Sequence, residues 1–374
     1  MNTDISFSEE QGMMRESASS FCQEQSTIDK VRAQLTTETG FDRNLWQEMT
    51  ELGWLGITVP EEHGGSGLGL AEVVTIVEPM GQHLFATPFV STTLVAQALM
   101  QAGTEAQQAK WLPAIAGEGR IGSLAFTEPH GDWDLSNITC KAEKNGAELQ
   151  LSGVKTFVND LAVADFILVT VQLEGSAALV IVEKDMLPDN AFTREVVIDE
   201  TRRSYRLTLD GTSVPVSNLL ETSKTNASLR HYDLAACLLL SAEMCGGISS
   251  TLSLTVDYLK TREQFNRLIG SYQALKHPMV DVLTGMDAAR SHLYHAATVF
   301  DDPDESEIAV RMAKTQASDV FSYAADRAIQ FHGGFGFTYD CDAQLYLRRA
   351  LWCQYQCGDG QYQRKKLAAL LLDD

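Results

Sequence analysis

The sequence predicts an α+β chain: a helical N-terminal domain over residues 1–120, a small central β-barrel-like or sandwich domain over 121–222, and a C-terminal antiparallel four-helix bundle over 223–374. Three observations carry this. Apolar residues recur every three or four positions before residue 120, short β-branched runs replace them up to about 220, and long helical stripes then return.

In the first third, Ser8 followed by Gln11 makes a capping box that opens a helix to about Gln25. Helical stripes follow at 45–52 and 71–84. Between them, GWLGITVPEEHGGSGLGL (53–70) is a loop, marked by Pro60 and the glycines after it. Residues 92–102 and 105–115 form two short helices, the second closed by Pro113 and AGEGR. In the middle third, ELQLSG, KTFV, DFILVTVQ, AALVIVEK and SYRLTLDG are strands, and Glu174-Gly175-Ser176 joins two of them as a hairpin. In the last third, Val282, Met286, Ala289, Leu293, Ala297 and Phe300 line one helix face; Ile308, Met312, Ala313, Val320, Phe321, Ala324 and Ala328 line another. Residues 301–304 turn between them, and such stripes pack as a bundle.

The chain has 374 residues, with 29 Lys+Arg against 50 Asp+Glu and a formal net charge of −21. Nucleic acid and anionic membranes are poor partners for such a surface, because both need clustered bases. The charge is −10 over 1–120, −8 over 121–222 and −3 over 223–374, so an anionic ligand is best received by the last third. No apolar run approaches the ~18 residues of a membrane span, and MNTDISFSEEQ lacks signal-peptide order. A soluble, cytoplasmic protein is expected. The seven cysteines are odd in number and scattered, with Cys353 and Cys357 one helical turn apart, which favours reduced thiols over a metal or disulfide.

Five strings match this order of elements: TEPHGDWD (127–134), KTFVND (155–160), YLKTREQFNRLIGSYQALKH (258–277), QFHGGFGFTYD (330–340) and YLRRALWCQYQCGDGQYQR (346–364). In order and spacing they resemble the signature segments of the acyl-CoA dehydrogenase family. In particular the chain looks like the smaller bacterial members that often work as heteromeric pairs, including those acting on steroid side chains. The resemblance implies FAD as cofactor, an acyl-CoA as substrate, a homologous subunit in a hetero- or homo-oligomer, and an electron-transfer flavoprotein as acceptor.

Chemistry supports these strings residue by residue. A guanidinium fork at Arg262 suits a pyrophosphate, Phe265 can cover a flat ligand, and the Gln273 amide can satisfy a polar edge. The string alone equally admits an exposed arginine beside a core phenylalanine. The resemblance assigns all three to the adenosine pyrophosphate half of a neighbouring subunit's FAD. Asn266 stands where the family has glycine, and asparagine tolerates positive φ. Gln330, Gly333 and Gly334 are likewise implied at the FAD adenine and pyrophosphate, although a Gly-Gly helix cap reads the same way. His332 has no second ligand spaced to make a metal site. Phe126 and Thr127 are implied at the isoalloxazine, with Phe157 against it and Asn159 where the family has threonine. Trp133 and Asp132 bring bulk and negative charge into the loop after TEP, where the family has small residues.

Dehydrogenation between the α and β carbons of an acyl-CoA needs a base for the α proton. At the two positions where the family keeps that glutamate, this chain has Cys357 and Ala236. Cys357 is a weak replacement, since a free thiol near pKa ~8.5 is mostly protonated. Three explanations stand: a partner chain supplies the base, a carboxylate has relocated, or the chemistry needs no base. Glu243 and Asp359 are the relocation candidates, and Glu243 also suits a structural ion pair. A scaffold of this fold binding neither FAD nor CoA is the alternative function.

Overall fold

The structure, a computed structural model, describes residues 8–372. Six helices come first: α1 (Glu9–Gln25), α2 (Ile28–Leu35), α3 (Arg43–Glu51), α4 (Leu70–Gln82), α5 (Phe89–Ala102) and α6 (Glu105–Glu118). The capping box forms, with Ser8 Oγ accepting from the Gln11 amide and Gln11 Oε1 from the Ser8 amide, both at 3.1 Å. Helix α2 is a further element, its Ile28, Val31 and Leu35 at helical spacing and packed on the core. Pro113 does not close α6, which runs through it to Glu118. The stop is Gly119 at φ +67°, a left-handed residue that costs glycine little.

Nine strands follow: β1 (Gly122–Ala125), β2 (Lys141–Asn145), β3 (Glu148–Ser152), β4 (Val154–Asn159), β5 (Phe166–Leu173), β6 (Ser176–Glu183), β7 (Phe192–Glu195), β8 (Ser204–Thr208) and β9 (Thr212–Pro215). Strand β5 centres a six-stranded sheet: β1 and β2 lie parallel to it, β6 antiparallel, and β3 and β9 extend the sheet beyond β2. A second sheet runs β4-β8-β7. The β5–β6 hairpin closes on two residues, Glu174 and Gly175, both at positive φ, rather than three. Alternation explains why β5 and β6 are apolar throughout. Ile167, Val169 and Val171 with Val180 and Val182 face the core between the sheets, while Phe166, Leu168, Leu179 and Ile181 join the helical core.

The last third holds α7 (Thr225–Thr261), a tight ribbon of β10 (Glu263–Gln264) and β11 (Arg267–Leu268), then α8 (Gln273–Thr298), α9 (Ser306–His332), α10 (Ala343–Tyr355) and α11 (Gly360–Leu372). The fourth member of the expected bundle is thus broken into α10 and α11 by a short connection. Helix α7 also corrects the expectation about apolar runs: by length and composition it could cross a membrane, but 83% of that window is buried inside the protein. Its apolar surface is satisfied by α4, α5 and α9.

Helices α4 and α7 cross with their backbones in contact. A Cβ on Gly81 would sit 2.0 Å from the Glu243 carbonyl oxygen, and one on Gly246 would sit 1.9 Å from that of Glu78. The N-terminal helices and the C-terminal bundle therefore share one continuous core. Glu78 adds a polar tie across it: its carboxylate accepts from Arg290 Nε at 2.8 Å, from the Tyr294 hydroxyl at 2.7 Å and from Arg15 at 3.2 Å. Gly246→Ala is expected to destabilise the protein by about 1–3 kcal/mol or more through overpacking, read as a lower denaturation midpoint. An unchanged midpoint would show that this crossing can open at no cost.

Candidate active site

The site lies where the strands meet α5, α7 and α10. On the strand side, a buried pair fixes two strings together. Lys155 Nζ donates to Glu128 Oε1 at 2.7 Å and to the Thr170 hydroxyl at 2.8 Å, both charged groups being almost fully buried. Burial pushes the Glu128 carboxyl up, but Lys155, the Thr139 hydroxyl and the Cys140 amide outweigh it and hold the pKa at about 2. The segment Phe126-Thr127-Glu128 is thereby tied to Lys155-Thr156-Phe157. Pairing between β4 and β8 then slips at a bulge between Lys155 and Val158. Phe157 sits in it at φ +53°, 45% exposed, its amide donating to Glu195 Oε2 at 2.9 Å. A non-glycine residue in this region costs free energy, and the bulge turns the ring out into the cleft.

Facing it, α7 presents Tyr232, Ala236, Leu240 and Glu243, and the end of α10 presents Trp352, Gln356 and Cys357. With Phe126, Thr127, Phe157 and Asn159 these line a space of about 830 Å³ that is open to solvent. Thr127, Phe157, Trp352, Gln356 and Cys357 also line an outer space of about 950 Å³, walled by Trp133, Val196, Val197, Ile198 and Tyr355. The two spaces form one cleft with its mouth at the Cys357 end. Trp133 lies along this mouth; its indole N–H donates to the Tyr355 carbonyl at 3.0 Å and its ring is 5.4 Å from that of Tyr362.

Cys357 and Ala236 thus face one cleft together. Cys357 holds φ +55°, and its side chain contacts the Cys237 thiol, which that contact and burial keep protonated. Burial also keeps Tyr232, whose ring meets Phe126 edge-on at 4.7 Å, a neutral phenol. All seven cysteines are free.

Glu243 lines the cleft as a clamped carboxylate. It accepts from Arg202 and, at 2.5 Å, from Arg349 Nη1. Burial raises its pKa, yet the two guanidinium groups hold it below the ordinary carboxylate range, which makes it a poor proton acceptor. Asp359 is engaged elsewhere: its Oδ1 accepts from the Tyr362 amide at 2.8 Å and caps α11, and it lines neither space of the cleft.

A separate groove of about 850 Å³ lies at the end of α7 and α9, lined by Tyr258, Arg262, Gln264, Ile269, Phe331, His332, Gly333, Gly334 and Phe335. It unites Arg262, Gly333 and Gly334, as the sequence suggested, and has no lining residue in common with the cleft. Added Cβ atoms on Gly333 and Gly334 would meet nothing within 4 Å, so a ligand can approach their backbone. Phe265 stands at the ribbon turn, 86% exposed at φ +55°, with Asn266 beside it at φ +62°. Gln273 and Gln330 are exposed on α8 and α9 but outside the groove lining. His332 belongs to the core: it stacks on Tyr258 at 4.2 Å, and its Nδ1 lies 2.7 Å from the Ala328 carbonyl. Among the described residues no cluster of His, Cys, Asp and Glu could hold a metal.

Residues 8–118 match the family description "Acyl-CoA dehydrogenase, N-terminal domain" and residues 236–372 match "Acyl-CoA dehydrogenase, C-terminal domain". Acyl-CoA dehydrogenase IpdE2 of Mycobacterium tuberculosis is 31% identical over 346 residues, covering 91% of this chain and 91% of that protein. The chain belongs to the acyl-CoA dehydrogenase family. Mitochondrial isobutyryl-CoA dehydrogenase of Dictyostelium discoideum is 30% identical over 365 residues, covering 93% of this chain and 85% of that one. Among solved structures, the ChsE4-ChsE5 complex from Mycobacterium tuberculosis superposes with a TM-score of 0.90 at 26% identity, covering 100% of both chains. Membership makes this an oxidoreductase fold and implies a flavin cofactor.

For an acyl-CoA dehydrogenase the cleft contains residues that sequence reasoning passed over. Asp160 ends the string KTFVND but drew no attention, and Arg202 lies in an unremarked TRRS run. Their signal was charge beside apolar strands, and only the tertiary fold shows which charges turn inward.

The Glu128–Lys155 tie makes an acid-stability prediction. Because the folded pKa of about 2 lies below the unfolded value, this carboxylate stabilises the protein above about pH 4.5 and progressively less as pH falls toward 2. Glu128→Gln should lower stability at neutral pH yet shrink the loss between pH ~6 and ~3 by about 1–2 kcal/mol, measured by denaturant titration. An acid limb as steep as that of the parent would show that Glu128 is not the group titrating.

Proposed function

We propose that this chain is a subunit of an FAD-dependent acyl-CoA dehydrogenase that converts an acyl-CoA thioester to the 2-enoyl-CoA, with the proton-accepting carboxylate supplied by a homologous partner subunit. The carrying observation is the composition of the cleft: both positions from which the α proton is normally taken face it, and they hold Cys357 and Ala236. The carboxylates examined for relocation are committed elsewhere, Glu243 to two arginines and Asp359 to a helix cap.

The residues present suit FAD in two places. In the cleft, the outward Phe157 ring offers a stacking face, and Asn159 Oδ1, buried without a hydrogen-bond partner among the described residues, suits a polar ring edge. In the groove, Arg262 suits a pyrophosphate, Gly333 and Gly334 leave space for it, and the exposed Phe265 can cover an adenine. As the family resemblance implies, the groove, which shares no lining residue with the cleft, is assigned to the FAD of a neighbouring subunit. Bound FAD supplies the acceptor for the β hydride, and an electron-transfer flavoprotein is the acceptor beyond it. Tyr232, Trp352 and Leu240 exclude water from the acyl chain, and Phe126 and Thr127 orient the ring.

The near-neutral last third supports the same assignment, because it is where an anionic nucleotide meets least repulsion. The deciding experiment is to purify the chain alone and together with its homologous partner and to record flavin absorbance and acyl-CoA turnover. Colour and turnover are expected only in the mixture, and Arg262→Ala should weaken FAD retention about tenfold or more. Turnover by the chain alone would refute the partner-supplied base. Cys357→Glu should restore turnover to a complex whose partner has lost its own carboxylate, by adding a base at this cleft; no restoration would show that ring and thioester do not meet here.

A further inference from the structure

The cleft changes character along its length. Ala236 and Glu243 lie seven residues apart on α7, ~10 Å along the helix axis, with Cys357 at the Ala236 end. The middle is walled by Val90, Leu94 and Leu240, as an alkyl chain requires. The far end is polar. There Ser91 Oγ lies 3.0 Å from Asp160 Oδ2, and Arg202 closes the wall beside Glu243.

Arg202 is only partly used. It gives Nη2 to Glu243, its Nε is buried with no hydrogen-bond partner among the described residues, and its side chain, 14% exposed, lines both the cleft and a neighbouring space beside Glu195 and Val197. A guanidinium fork with spare donors at the end of an apolar channel is costly unless a ligand oxygen completes it. The charge of that oxygen can be read from the surroundings. Three guanidinium groups, Arg202, Arg203 and Arg349, stand among three carboxylates, Asp160, Asp199 and Glu243. A further anion would be uncompensated in a buried site, whereas a neutral oxygen needs only a donor.

We propose that this cleft selects acyl-CoA thioesters whose acyl tail carries a neutral oxygen, a hydroxyl or ketone, about 10 Å from the reacting carbons, with Arg202 as the recognising side chain. The inference rests on the acyl-CoA reading of the cleft and adds the nature of the acyl group.

Calorimetric titration of the full chain in its flavin-loaded complex tests it, using octanoyl-CoA, its ω-hydroxy derivative and its ω-carboxy derivative. The ω-hydroxy thioester is expected to bind about tenfold more tightly than octanoyl-CoA, the span of one hydrogen bond to a charged group. Arg202→Lys keeps a cation for Glu243 and removes the fork, and should reduce that ratio to about threefold or less. A merely structural role for Arg202 would weaken both ligands alike and leave the ratio unmoved, overturning the proposal. Equal or tighter binding of octanoyl-CoA overturns it while leaving the acyl-CoA reading intact. Tightest binding of the ω-carboxy form replaces the neutral tail by an anionic one and overturns it as well. If no thioester binds, the acyl-CoA reading of this cleft falls, and the inference with it.

Discussion

The geometry of the cleft depends on one fully buried cation. Arg349, on α10, gives its fork to Asp199 and Thr201 from the segment before β8 and to Glu243 from α7. Its pKa rises despite burial because the two carboxylates surround it, while Asp199, though buried, is held below its ordinary value by Arg349 and Arg202. A buried pair of this kind adds little net stability over an apolar filling, yet breaking one partner leaves an uncompensated charge and is severe. It acts as a register. It sets where α10 ends, and so where Cys357 turns into the cleft, relative to Ala236 on α7 and to the strands that carry Phe157.

Glu243 shows how an ambiguous residue is resolved by its partners. A lone acid among Ala, Met and Cys reads equally as a displaced catalytic base or as half of an ion pair. Its partners are 41 and 106 residues away in the chain, and no local pattern reveals them. The same holds for Arg202 and Asp160, ordinary surface charges by composition, whose inward orientation follows from the path of the chain between β4 and β8.

What was legible in the sequence was local physics. The Ser8 capping box, the Glu174-Gly175 hairpin, the apolar runs of β5 and β6, the stripe of α8 and, apart from the exposed Met312, that of α9 each rest on contacts a few residues apart. Arg262, Gly333 and Gly334, each carried by a short motif, line one groove. The errors share a cause as well. Pro113 looked like a terminus, but a helix packed on its neighbours survives one missing hydrogen bond. The apolar face of α7 was underestimated because its partners, α4 and α9, come from both ends of the chain.

The backbone contact of α4 with α7 constrains motion as well as shape. Helices that touch through glycine cannot slide or tilt without collision, so the α7 wall of the cleft is fixed to α4. The opposite rim is tied more lightly: among the described residues, the loop of Trp133 and the α10–α11 connection are joined by one indole-to-carbonyl hydrogen bond. Such a bond is exchangeable with water at a net cost of only about 1 kcal/mol. The mouth of this cleft is thus held by far weaker contacts than the α7 wall at its floor.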